Sequence, residues 1–236
     1  MKLSSYLNYQ LKSYIRSYRF IPPVTVFLGW VFILYAYKHV PILSSYAVSS
    51  IVLYLMMTWI AMSVFSLEDD SEKHILFSHL GQKTKFLFGK WLICLIWLAA
   101  LFLFAELFPI VTNSFKGEMT GVHLGLSFYS HLAIGIYGIL VGTFFAVATF
   151  ASRRYAWLAA MLVLMVSLAS ESLAEALPLV KWILWLFPPV VKVIAWLGEG
   201  DVVHLEGAFW NDALISIAYI IIGAIVVMWS FKRKEQ

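Results

Sequence analysis

Ionisable side chains are scarce in this sequence, and their positions narrow the chemistry open to it. Asp and Glu together number 13 and His 6 among 236 residues. The densest cluster is LEDDSEKHILFSHLGQKTKFLFGKW, residues 67–91, which holds Glu68, Asp69, Asp70, Glu72, Lys73, His74 and His79. His74 and His79 are five apart, a poor pair for one metal, and no Cys or acid stands at ligand spacing beside them. Cys94 is the only cysteine, which excludes an intrachain disulfide and a thiolate zinc cluster. The sequence contains no G-x-x-x-x-G-K-[ST] loop to cradle the phosphates of ATP and no G-x-S-x-G nucleophile elbow. Glu106, His131, Glu171 and Glu175 also fall inside apolar runs. Charge in such a place is costly and marks a functional candidate by default.

The elements that must position these residues follow from composition. The chain is 62% hydrophobic and 13% charged, against about 45–50% and about 25% for a soluble domain. A soluble core could not hide this much apolar surface, so the chain belongs in lipid. The formal charge of +4 matters less than its placement. Six runs approach the roughly 20 apolar residues a membrane helix needs: 22–38, 44–66, 91–112, 125–150, 156–175 and 211–231. With the N-terminus inside, thirteen Lys and Arg fall on the inner side and four on the outer. That bias predicts both termini in the cytoplasm. Residues 1–20 lack a continuous apolar core, which argues against a cleavable signal peptide.

Residues 3–20 place Leu3, Leu7, Leu11, Tyr14, Ile15 and Tyr18 at helical spacing, with Lys12, Arg16 and Arg19 on another face. The pattern predicts an amphipathic helix lying in the inner interface. In the cluster, Asp69 and Glu72 have the D-x-x-E form of a capping box, and Gly81 provides a stop. The spacing predicts a short helix over 70–81, within a cytoplasmic loop spanning 68–82. Its apolar row, Ile75, Phe77 and Leu80, suits docking into a groove on another protein. Residues 178–197 are apolar, but Pro188-Pro189 splits them into pieces too short to cross. They read as two short helices dipping into the outer interface, with Trp182, Trp185 and Trp196 at headgroup depth. Gly138, Gly142 and Ala146 recur every four residues and predict close helix packing, within or between subunits.

This order resembles the membrane subunit of an ABC transporter of the ABC-2 type, also called type V. The order is a basic amphipathic helix, two spans, a capped loop helix followed by SHLGQKTKFLFGKWL, four more spans, and a broken apolar hairpin before the last. The resemblance covers the whole chain as architecture and is densest at residue level over 68–92. It implies an all-α polytopic fold in one domain, 1–236, with an elbow helix (3–20), six spans, a coupling helix and outer re-entrant helices (178–197). The implied ATPase-docking surface is Glu68, Asp69, Asp70, Glu72, Lys73, Ile75, Phe77, His79, Leu80 and Gly81. The implied partners are an ABC ATPase, which would hold ATP and Mg, a second permease subunit and membrane lipids, with no nucleic acid. The implied location is the bacterial plasma membrane. Small permeases of this kind are similar to those of Firmicute antimicrobial-peptide, bacteriocin and phenol-soluble-modulin exporters and self-immunity systems. An amphipathic or hydrophobic cargo is therefore expected.

Two other readings stand beside this one. A non-transporting immunity or sensor protein would have no use for the docking loop. An intramembrane protease of CAAX type needs adjacent glutamates and histidines on later spans. Here Glu171 and Glu175 are four apart, and His204 falls on a loop. If Glu106, Glu171 and Glu175 all faced the axis of a two-subunit unit, six carboxylates would ring an outer vestibule suited to cationic cargo.

Overall fold

A computed structural model of the chain describes residues 3–147, 153–198 and 207–235. Lys2, the expected end of the fourth span at 148–150, and His204 lie outside the described residues. Every regular element is helical: α1 (Leu3–Arg16), α2 (Ile21–Leu34), α3 (Ile42–Phe65), α4 (Asp70–Leu80), α5 (Lys83–Val111), α6 (Gly121–Val147), α7 (Arg153–Leu168), α8 (Ser170–Ala176), α9 (Lys181–Leu184), α10 (Val190–Ala195) and α11 (Gly207–Lys234). A 3-10 turn, Pro178–Val180, precedes α9.

Among the described residues four helices, α3, α5, α6 and α11, are long and apolar enough to cross a membrane. The number rises to six if α1 with α2, and α7 with α8, each count as one bent span. The chain is thus an all-helical, multi-pass membrane protein. Between α1 and α2 the axis turns by 75°. Tyr18 takes a left-handed conformation there (φ 56°), and Arg19 ties the corner to the end of α3 by donating from Nη1 to the Ser66 carbonyl at 2.6 Å. The α7–α8 bend of 71° falls at Ala169, with no Pro or Gly. Ser167 and Ser170 hydroxyls there bond to the Val163 and Ser167 carbonyls, the local competition that bends helices.

The centre of the bundle is the α3–α6 pair, and small residues let it close. A Cβ added at Gly142 would stand 2.5 Å from the Thr58 carbonyl oxygen and 2.8 Å from the Ala61 Cβ. At Gly138 it would stand 2.7 Å from the Tyr54 carbonyl oxygen. Thr58 Oγ1 donates across the seam to the Gly138 carbonyl at 3.2 Å. The glycine stripe therefore serves packing within one chain, which its spacing alone leaves open.

Helix α1 meets protein along Tyr6, Gln10 and Tyr14, with Leu7 and Leu11 half-buried beside them against the core. Tyr6, Gln10 and Tyr14 are buried, while Leu3, Tyr9, Ile15 and Tyr18 are exposed. The period of four from Tyr6 to Tyr14 aligns three polar-tipped side chains along α5. Each tip finds a partner: Tyr6 with the Phe86 carbonyl (3.4 Å), Gln10 with Glu68 (2.6 Å) and Tyr14 with Ser63 (2.7 Å). Lys12 and Arg16 are exposed on another face, and Arg19, also exposed, turns to the Ser66 carbonyl.

Candidate functional site

Helix α4 stands outside the candidate spans and ends where Gly81 adopts φ 69°, donating its N–H to the Phe77 carbonyl at 3.0 Å. Only a residue without a Cβ takes that conformation freely, which is why the stop is legible in the sequence. Asp69 occupies the N-cap but makes no side-chain cap bond. The expected capping box is not formed, because Glu72 turns away to accept a hydrogen bond from the Tyr9 hydroxyl at 2.6 Å. That bond, helped by partial burial, pushes the Tyr9 phenol up to about 12.

The apolar row of α4 divides. Ile75 is 59% exposed, whereas Leu76, Phe77 and Leu80 are buried. Phe77 packs edge-on against Phe86 (5.1 Å between centroids) and Phe231 (6.1 Å), and Phe86 stacks on Phe231. Phe77 and Leu80 are thus removed from the expected docking surface, since the apolar base of α5 and the end of α11 claim them. The outward surface is Ile75 among Asp69, Asp70, Ser71, His74, Ser78, His79 and Gly81, with Glu72 and Lys73 half-buried at its edge.

Glu68 leaves that surface too. It is buried, with one oxygen 2.6 Å and the other 2.5 Å from Lys90 Nζ. Lys90, one of the thirteen cations on the expected inner side, is 0% exposed and also donates to the Val64 carbonyl at 2.7 Å. Gln10 completes the carboxylate's shell from α1. On the other flank Lys73 pairs with Glu235, whose carbonyl also accepts from Lys83. Helix α4 is therefore fixed to α1, α5 and the end of α11 at once. A cavity of about 280 Å³ lies beside the clamp, reached by Asp70, Lys73, Trp157 and Lys234.

The sequence hides these anchors for identifiable reasons. Lys90, a charge inside FLFGKWLIC, is the available signal, but it reads as a topology marker. The contributions of Phe231 and Glu235 have no local signature at all.

The polar residues of the spans do not form one site. Glu106 is 7% exposed and accepts from Ser127 Oγ at 2.6 Å, deep between α5 and α6. Ser127 and Ser49 hold the two ring nitrogens of His131, at 2.9 Å each. Glu171 and Glu175 are exposed on α8 and have no ion-pair partner among the described residues. A ring of Glu106, Glu171 and Glu175 is thereby overturned for this chain, because the α5–α6 core encloses Glu106. Lys192 pairs with Asp212, at 3.6 Å. Trp182 and Trp185, the expected interfacial anchors, are exposed. Trp196 is half-buried, its indole N–H donating to Asp212 at 3.2 Å.

No protein-family model, no curated protein and no solved structure matches this chain.

Proposed function

We propose that this chain is the membrane-spanning subunit of an ATP-driven exporter of the ABC-2 type, with α4 as the helix that docks on a separate ATPase. The observation that carries the reading is the construction of α4. It is a helix outside the spans, clamped by the Lys90–Glu68 pair and the Phe77–Phe86–Phe231 cluster to three other helices, yet offering exposed Ile75 outward. A solvated loop needs no such clamp. A lever that must convey motion does, because rigid attachment turns displacement of α4 into displacement of α1, α5 and α11.

On this reading α1 is an interfacial elbow, and α2, α3, α5, α6, α7–α8 and α11 are six spans. Helix α2, with 14 residues, rises about 21 Å and needs its flanking turns to reach across. The segment 178–197 lies at the outer face, and both ends of the chain lie in the cytoplasm of a bacterial plasma membrane. The clustering of Lys12, Arg16, Arg19, Lys232, Arg233 and Lys234 at the α4 end supports that orientation. ATP and Mg belong to the partner ATPase. A second permease subunit completes the path, and the cargo is amphipathic or hydrophobic, peptide or lipid-like.

The test is a photo-crosslinking residue at position 75 in living cells. A P-loop ATPase is expected as the principal adduct, and Ile75→Asp should abolish its co-purification while the thermal midpoint stays within about 2 °C of wild type, as for a surface change. Phe77→Ala should instead destabilise the chain by about 3–5 kcal/mol. Adducts without any ATPase, with Ile75→Asp otherwise silent, would sink the docking role.

A further inference from the structure

At the end opposite α4, the helices α8 to α11 enclose a groove of about 420 Å³. Its floor is Ala218, Tyr219 and Ile222 of α11, and its walls include Leu184, Trp185 and Pro188. The size falls within the range of about 300–1,000 Å³ that takes a small ligand. Glu171, Lys181 and Lys192 line it as well, giving its lining two positive charges and one negative.

The wall facing α11 is irregular backbone, which apolar surroundings tolerate only when its polar groups are satisfied. Leu186 and Phe187 donate their N–H groups to the Ile183 and Leu184 carbonyls, and Val190 donates to Pro188. Pro188 and Pro189 have no N–H to satisfy. The Tyr219 hydroxyl donates to the Leu186 carbonyl at 3.1 Å. The break between α9 and α10 thus ties up much of its backbone polarity, and the wall of Leu184, Trp185, Phe187 and Pro188 suits an apolar guest.

What surrounds the groove identifies the guest. Leu179 is 93% and Trp182 84% exposed, with Ile183 and Leu186 also open. In a membrane protein that surface abuts acyl chains. At the mouth Lys181 has no ion-pair partner among the described residues. Lys192 is held only loosely, 3.6 Å from Asp212 and 5.7 Å over the Trp185 ring. Ammonium groups at the edge of an acyl-sized groove match an anionic lipid, phosphate at the mouth and one chain inside. We propose that the α8–α11 groove is a binding site for an anionic phospholipid. The inference is independent of any coupling to an ATPase.

The experiment places the full chain in nanodiscs of phosphatidylglycerol and phosphatidylcholine in equal amounts. One lipid at a time carries a photoactivatable acyl chain, and adducts are mapped by mass spectrometry. Phosphatidylglycerol should label 184–192 and 215–222 about threefold more than phosphatidylcholine, the preference expected of two interfacial lysines partly offset by Asp212 and Glu171. Lys181→Gln with Lys192→Gln should erase the preference, and Ala218→Trp, which fills the groove, should erase labelling by both lipids. Equal labelling of the native chain by both lipids would overturn the proposal. So would adducts spread evenly along the lipid-facing side of α5, or displacement of the lipid by a cationic amphipathic peptide.

Discussion

Lys90 offers the sharpest test of how α4 is held. Its ammonium makes three hydrogen bonds, two to Glu68 and one to the Val64 carbonyl, with no exposure to solvent. Lys90→Met leaves the Glu68 carboxylate buried with Gln10 as its remaining donor. Removing one member of a buried ion pair costs about 3–5 kcal/mol, because the surviving charge keeps its desolvation penalty. Glu68→Gln strands the ammonium in the same way. At about 2–4 °C per kcal/mol for a chain of this size, each single change should lower the melting midpoint in detergent by about 10 °C. The double change should recover most of that loss. The neutral amide that Glu68→Gln introduces can accept from Gln10 and donate to the Val64 carbonyl, while the Lys90→Met side chain fills the lysine's channel. With single losses of about 3–5 kcal/mol each and a double loss of about 1 kcal/mol, the expected coupling is about 5–9 kcal/mol, read from circular dichroism melts of the four proteins. Single variants within about 2 °C of wild type, or losses that simply add in the double variant, would refute the buried pair.

Two further outcomes follow from geometry and charge. Gly142→Leu should force α3 and α6 apart, since even its Cβ meets the Thr58 carbonyl; overpacking of about 1–3 kcal/mol is expected as a lower melting midpoint, with Gly29→Leu, where a Cβ meets nothing within 4 Å, as the silent control. The Tyr9–Glu72 bond should make α1 docking sensitive to alkali. The Tyr9 phenol is raised to about 12 in the folded chain against about 10 when free. Its contribution is whole below pH 10 and is lost as pH rises through 12. Hydrogen exchange of α1 should therefore accelerate over that window in the native chain, and Tyr9→Phe should flatten the dependence.

Much of this architecture is legible from residue type alone. Apolar runs locate the long helices because no soluble fold could hide them, and Gly81 marks the end of α4 because the left-handed stop demands it. The direction in which α4 faces is not legible. Ile75, Leu76, Phe77 and Leu80 cover two adjoining faces, and only the arrival of Phe86 and Phe231 decides which is buried. The same holds for Lys90. A lysine at a span's edge reads as a topology marker until a carboxylate is seen to meet it. The α7–α8 bend leaves no local sign because Ala169 has no Pro or Gly beside it, whereas Pro22 and Pro23 in the first turn of α2 mark the α1–α2 corner. The glycine stripe announces close packing, but a stripe names no partner.

The clamp on α4 also has a consequence for biogenesis. Lys83 and Glu235 are 152 residues apart, and Phe231 is needed to seat Phe77. A nascent chain reaches α4 early, before most of the later helices have been made, and at that moment the seat is missing one wall. The clamp on α4 is therefore completed only when synthesis has passed α11, so an unfinished chain cannot present the proposed docking helix fully seated. Assembly with a partner would then select for finished chains without any separate inspection step.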